Sequence, residues 1–158
     1  MSRTHEYTAE IRWTGNRGTG TSGYRDYDRA HDVSAQGKAT IAGSSDPAFR
    51  GDPARWNPEE LLVASLAQCH MLWFLHLAAV NDVVVTGYVD RPQGTMLEQD
   101  DGAGQFTRVV LKPEVTVAEA FMSEHSQKLH DHAHAQCYVA RSVNFPVLHE
   151  PTVHVRSD

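Results

Sequence analysis

The sequence predicts one domain of antiparallel strands and helices, on three observations. Tyr7, Ala9, Ile11 and Trp13 alternate with Thr8, Glu10 and Arg12, the period-two signature of a strand with one buried face. No residue from 61 to 81 is charged, a length that suits one long helix. Short β-branched segments separated by glycines then follow, as in a meander.

The elements can be placed in order. The first strand covers residues 7–13 and ends at Gly15. The glycine-rich stretch 15–23 reads as a hairpin connection, 24–34 as a more polar second strand carrying Arg29, and 39–42 as a short third strand. Residues 43–58 hold three prolines and small polar clusters without periodicity. A loop of this length inside a compact domain is usually functional. Asn57, Pro58, Glu59 and Glu60 supply an N-cap, a first-turn proline and two dipole-favoured carboxylates, so the first helix runs from 58 to about 81. Strands are expected at 83–90, 96–98 and 106–112, a second helix at 118–135 and a last strand at 151–156.

Length and charge narrow the function. A chain of 158 residues has room for one core and no separate cofactor module. Its 14 Lys and Arg stand against 20 Asp and Glu, so the net charge of −6 lacks the basic footprint of a nucleic-acid binder and disfavours anionic membranes. The uncharged stretch is long enough to span a bilayer. However, Ser65, Gln68, His70 and His76 interrupt it and acidic residues flank it, so it reads as the buried centre of a soluble fold. Two cysteines are too few for a disulfide framework, and no apolar signal core follows the first residues, so a cytoplasmic location is expected.

Cys69 and Cys137 are the residues with distinctive chemistry. Cys69 lies some 16 Å from the helix start at about 1.5 Å per residue, beyond the reach of the dipole. A reactive thiol there needs an imported cation, for which Arg29, Arg50 and Arg55 are the candidates. Glu59 or Glu60 at the helix entrance could aim the guanidinium. The bland alternative is that Cys69 packs a core, as free cysteines commonly do. A chain with only two thiols could also keep them as an attacking and a resolving pair.

At these residues the sequence resembles the OsmC/Ohr superfamily of thiol-dependent peroxidases. The block Asn57-Pro58-Glu59-Glu60-Leu61-Leu62, with Ala64-Ser65 and Cys69, is similar to the family's Asn-Pro-Glu segment. Leu129-His130 through Cys137, with Ser142 and Pro146-Val147, is similar to its resolving-cysteine segment. The resemblance implies Cys69 as peroxidatic thiolate, Cys137 as resolving thiol and Glu59 as the carboxylate orienting the activating arginine. That arginine is Arg50 by preference and Arg29 otherwise.

It further implies an α+β fold with two long central helices against strongly bent antiparallel sheets, built as an intertwined homodimer with active sites at the interface. The substrate would be an organic hydroperoxide, alkyl or fatty-acid, and the reductant an external dithiol such as dihydrolipoamide, with no metal or organic cofactor. Leu62, Leu66, Leu72 and Trp73 on the Cys69 side would suit an alkyl group. Two other readings compete. One is a metal site using His130, His134 and Cys137, which share a face if the helix continues. The other is a non-enzymatic binder of hydrophobic molecules. His70 and His76 read as core or interface histidines.

Overall fold

The computed structural model describes residues 1–157. Its contacts divide the chain into two compact units, Met1–Leu61 and Leu62–Asp158.

The first unit carries an antiparallel sheet of β1 (Glu10–Trp13), β2 (His31–Ser34) and β3 (Ile41–Gly43), in that order. Gly43 pairs with His31, and a Cβ there would lie 2.3 Å from the imidazole Nε2, so any other residue would have to displace the His31 ring. The expected buried face of β1 is not found within the chain: Ile11 and Trp13 are both exposed. The second strand is also shorter than expected. Residues 24–30 form a turn, a single bridge from Tyr27 to Asn16 and irregular backbone, so Arg29 precedes β2 instead of lying on it. The cause is local competition for carbonyls. Those of Tyr24 and Tyr27 accept from the Arg29 guanidinium, and that of Asp28 accepts from the Trp13 indole.

The long loop is ordered. Asp46 caps a short 3₁₀ turn (Pro47–Phe49) by accepting from the Ala48 amide at 2.7 Å. The ends of the loop meet where Ser44 N–H donates to Trp56 C=O and Trp56 N–H to Ala42 C=O, a compact Ω-type closure. Gly51 is obligatory, since a Cβ would fall 1.6 Å from the Ser45 carbonyl oxygen.

Helix α1 (Pro58–Val80) starts as expected and ends one residue early. Asn57 Oδ1 accepts from the Glu60 amide at 2.8 Å while Glu60 Oε2 accepts from the Asn57 amide at 3.1 Å, a reciprocal capping box. By length and composition α1 could cross a membrane. Only Leu66, Ala67, His70, Phe74 and Ala78 of it are buried, so the single chain does not enclose this helix as the sequence suggests.

The second unit adds β4 (Val85–Asp90), β5 (Gln93–Glu98), β6 (Gly104–Leu111), β7 (Pro113–Val117), α2 (Ser123–Gln136), β8 (Val147–His149) and β9 (Thr152–Val155). The expected antiparallel meander is replaced by two three-stranded sheets, β4-β7-β9 and β5-β6-β8. The outer pairs β6/β8 and β7/β9 are parallel, so the sheets are mixed and not purely antiparallel. At the junctions between them, Asp90 Oδ1 accepts from the Lys112 amide at 2.8 Å.

Two strands escaped the sequence reading. In β7, Val115 and Val117 alternate with Glu114 and Thr116 and are fully buried, with Pro113 tolerated as the first residue. The three residues of β8 are too few to show a period. Helix α2 begins five residues later than expected, after a 3₁₀ turn at Ala120–Met122 that leaves Phe121 exposed, and is only 14 residues long.

Two apolar clusters hold this unit. One gathers Phe74, Ala78, Val83, Val115, Val117, Leu129 and Ala133 between α1, α2 and the β4-β7-β9 sheet. The other gathers Leu66, Ala67, Val109, Leu111 and Val147 under β6 and β8.

Candidate active site

Cys69 is on α1, half-buried, and Cys137 is the residue that ends α2, 1% exposed. Two ring contacts join the segments that carry them. His70, next to Cys69, meets His130 of α2, with ring nitrogens 3.0 Å apart. Trp73, one turn beyond Cys69, meets Tyr138 edge-on at 5.5 Å between centroids. The Cys69 sulfur lies close enough to Cys137 to influence its protonation. Burial pushes the Cys137 thiol up to about 11; the Ala140 amide opposes this with a hydrogen bond at 3.4 Å, and the Cys69 sulfur adds to the rise. At neutral pH Cys137 is therefore a protonated thiol.

The arrangement of His130, His134 and Cys137 differs from the sequence reading. Cys137 leaves the helix with φ −66° and ψ 109°, so the i+7 position does not continue the face. Among the described residues no group of three or more His, Cys, Asp or Glu is disposed to hold a metal ion. His70 is fully buried, whereas His76 and His132 are exposed. His149 of β8 was missed by the sequence reading. Its Nε2 lies 2.7 Å from Asp131 Oδ1, and its ring packs near His70 and His134. No local pattern marks it, because its partners are far away in the chain.

The apolar residues expected beside Cys69 also separate. Leu66 is a core residue of the second cluster, Leu62 and Trp73 are half-buried, and Leu72 is 58% exposed.

The candidate cations lie in the first unit, around a cleft of about 510 Å³ lined by Asp28, Arg29, Ser44, Arg50, Asp52 and Arg55. They differ in freedom. Arg29 donates to the carbonyls of Tyr27 and Tyr24 at 2.7 and 2.8 Å and stacks 3.9 Å from the Tyr27 ring centre. Arg55 donates to Gly43 C=O and faces Asp32 at 3.6 Å. Arg50 closes the 3₁₀ turn in a left-handed conformation, φ 65°, with its guanidinium 5.8 Å from the Tyr24 ring and no carbonyl anchor among the described residues. The two carboxylates at the helix entrance also divide. Glu60 is occupied by the capping box, whereas Glu59 Oε2 is buried without a hydrogen-bond partner among the described residues.

The OsmC-like protein family model matches residues 51–151, almost two-thirds of the chain, spanning both cysteines. The chain belongs to the OsmC-like family. Among solved structures, this OsmC-like chain is similar to an OsmC-like protein of unknown function from Vibrio cholerae. Identity is 30% over 94% of this chain and 100% of that one, with a TM-score of 0.82. It shares its mixed helix-and-sheet fold with an organic hydroperoxide resistance protein from Elizabethkingia anophelis (15% identity, 98% and 100% coverage, TM-score 0.64). The Bacillus subtilis organic hydroperoxide resistance protein OhrB is similar at 20% identity, with 92% and 98% coverage and a TM-score of 0.59. No curated protein matches the chain.

Proposed function

We propose that this OsmC-like chain is a thiol-dependent peroxidase that reduces organic hydroperoxides in defence against oxidative stress. The observation that carries the proposal is the pairing of its two cysteines, one half-exposed and one buried and protonated, as neighbours on separate segments. The organic hydroperoxide resistance proteins from Elizabethkingia and Bacillus, which share the fold, support the same role.

In this mechanism the Cys69 thiolate attacks the distal oxygen of the hydroperoxide, the O–O bond breaks, and the alkoxide leaves as the alcohol after taking a proton. Cys69 is then a sulfenic acid. The Cys137 sulfur displaces its hydroxyl as water and closes a disulfide, which an external dithiol such as dihydrolipoamide reduces by two electrons and two protons. Accessibility and acidity support this division of labour. The half-exposed thiol meets peroxide first, and the protonated one waits for the electrophilic sulfenic acid.

Arg50 is the proposed activating cation and Glu59 the carboxylate that aims it. Arg50 is the least anchored of the three arginines, and a buried carboxylate oxygen lacking a partner gains most from a guanidinium. Arg29, held by two carbonyls and two tyrosine rings, is the alternative. No metal or organic cofactor takes part. The protein works in the cytoplasm, as a homodimer whose second copy covers the apolar surface left by α1 and the β1-β2-β3 sheet, with the active sites at the interface.

The test is peroxide consumption with cumene hydroperoxide beside hydrogen peroxide, using dihydrolipoamide or a monothiol as reductant, with and without chelator. Chelator-insensitive, dithiol-dependent turnover that favours the organic peroxide is the expected result. Loss of function with chelator would favour a metal protein, and no turnover with any peroxide would favour a hydrophobic-ligand binder.

A further inference from the structure

Four histidines from three elements meet inside the second unit. His70 (α1) and His130 (α2) are both fully buried, their rings 6° from parallel, with Nε2 of the first 3.0 Å from Nδ1 of the second. Phe74 stacks on His130 at 4.1 Å. From β8, His149 lies 5.6 Å from His70 and 5.3 Å from His134 between ring centres, and its Nε2 is tied to the exposed carboxylate of Asp131. The second nitrogens of His70 and His130, and Nδ1 of His134, are buried with no partner among the described residues. His70 is the next residue after Cys69, and His130 stands two helical turns before Cys137.

We propose that His70 and His130 are positioning residues for the thiol couple. While both imidazoles are neutral they tie α1 to α2 and set Cys137 against Cys69; on acidification the tie fails and the couple separates. The inference rests on the reading that these two cysteines close a disulfide.

The hydrogen bond needs one bare nitrogen and one N–H. A first proton on the pair leaves that bond intact but places a cation in an apolar pocket, where the one nearby anion among the described residues, Asp131, is in solvent and already engaged by His149. A second proton sets N–H against N–H. His149, His134 and, beyond Asp131, His132 can add only positive charge as pH falls. Burial, reinforced at His70 by His149 and His134 and at His130 by His70 and His149, lowers His70 to about 4 and His130 to about 3, with Asp131 opposing at His130. Both are depressed relative to an unfolded histidine near 6.5. The contribution of the neutral pair is therefore complete above pH about 6.5 and declines as pH falls below it.

Diamide, a diazene oxidant, tests the couple without peroxide chemistry. Its N=N bond takes two electrons and two protons to become a hydrazine as the two thiols become a disulfide. The reduced full chain is treated at pH 7 and pH 4.5, and the Cys69–Cys137 peptide pair is quantified by mass spectrometry. Loss of thiolate slows every variant, so the comparison is with the double variant H70Q/H130N, whose amides stand where Nε2 and Nδ1 stood and cannot titrate. Wild type should lose at least tenfold more rate than this variant between the two pH values. Hydrogen exchange on wild type, corrected for intrinsic rates, should show α2 losing protection at least tenfold over the same range, a readout that needs no variant to fold. Equal pH slopes in the two proteins, or α2 protection independent of pH, would overturn the histidine tie and leave the peroxidase reading standing. Absence of the disulfide at every pH would overturn both the tie and the resolving role of Cys137.

Discussion

The backbone amide of Ala140, three residues further along the chain, donates to the sulfur of Cys137 at 3.4 Å. This bond works against burial and loses, since the thiol still stands near 11. Cys137 is thus a poor first nucleophile at neutral pH, and peroxide should be handled at Cys69.

Cys69→Ser should lower peroxide consumption at least about a hundredfold while leaving the circular dichroism spectrum unchanged. Serine has nearly the volume of cysteine but does not ionise at neutral pH. Retained turnover would end the peroxidase reading.

Under one equivalent of cumene hydroperoxide, Cys69 and Cys137 should appear as one cross-linked peptide pair within a single chain. Cys137→Ser should leave the first turnover intact and drive Cys69 to sulfinic acid, because nothing then captures the sulfenic acid. A wild-type digest with Cys69 over-oxidised and Cys137 free would instead point to a one-cysteine mechanism.

Arg50→Ala should raise the pH midpoint of Cys69 alkylation by about one unit or more, because it removes the cation nearest in chemistry to a thiolate partner. Arg29→Ala should act mainly on stability, through the carbonyls of Tyr24 and Tyr27 that it leaves without a donor. The reverse pattern in iodoacetamide kinetics would exchange the two assignments.

The protein should sediment as a homodimer at micromolar concentration. Leu72 is 58% exposed on α1, and Ile11 and Trp13 are 63% and 44% exposed on β1, apolar side chains that a lone chain leaves in water. An active monomer in the ultracentrifuge would contradict this.

Gly51→Ala should destabilise the loop that carries Arg50 by about 2 kcal/mol or more, because its Cβ would collide with the Ser45 carbonyl and backbone must move to admit it. Thermal melts, with Gly37→Ala as a variant at an open turn with positive φ, would measure the difference.

The sequence by itself determined what local chemistry determines. Asn57, Pro58 and Glu60 fix the start of α1 because cap, proline and carboxylate act within one turn, and the cap geometry is as those residue types demand. That Cys69 and Cys137 are the thiols to consider was equally legible, since the sequence holds no others. Residue pattern left Glu59 and Glu60 equivalent and only the family resemblance chose Glu59; in the structure the capping box occupies Glu60 and leaves Glu59 Oε2 buried without a partner among the described residues. Arg29 could not be placed correctly from pattern, because three backbone carbonyls drew side-chain donors and the strand starts only at His31. The parallel pairs β6/β8 and β7/β9, and the meeting of His70, His130 and His149, join segments dozens of residues apart. Periodicity carries no information at that separation. Those contacts are decided by which apolar faces close over one another, and only the tertiary structure contains that choice.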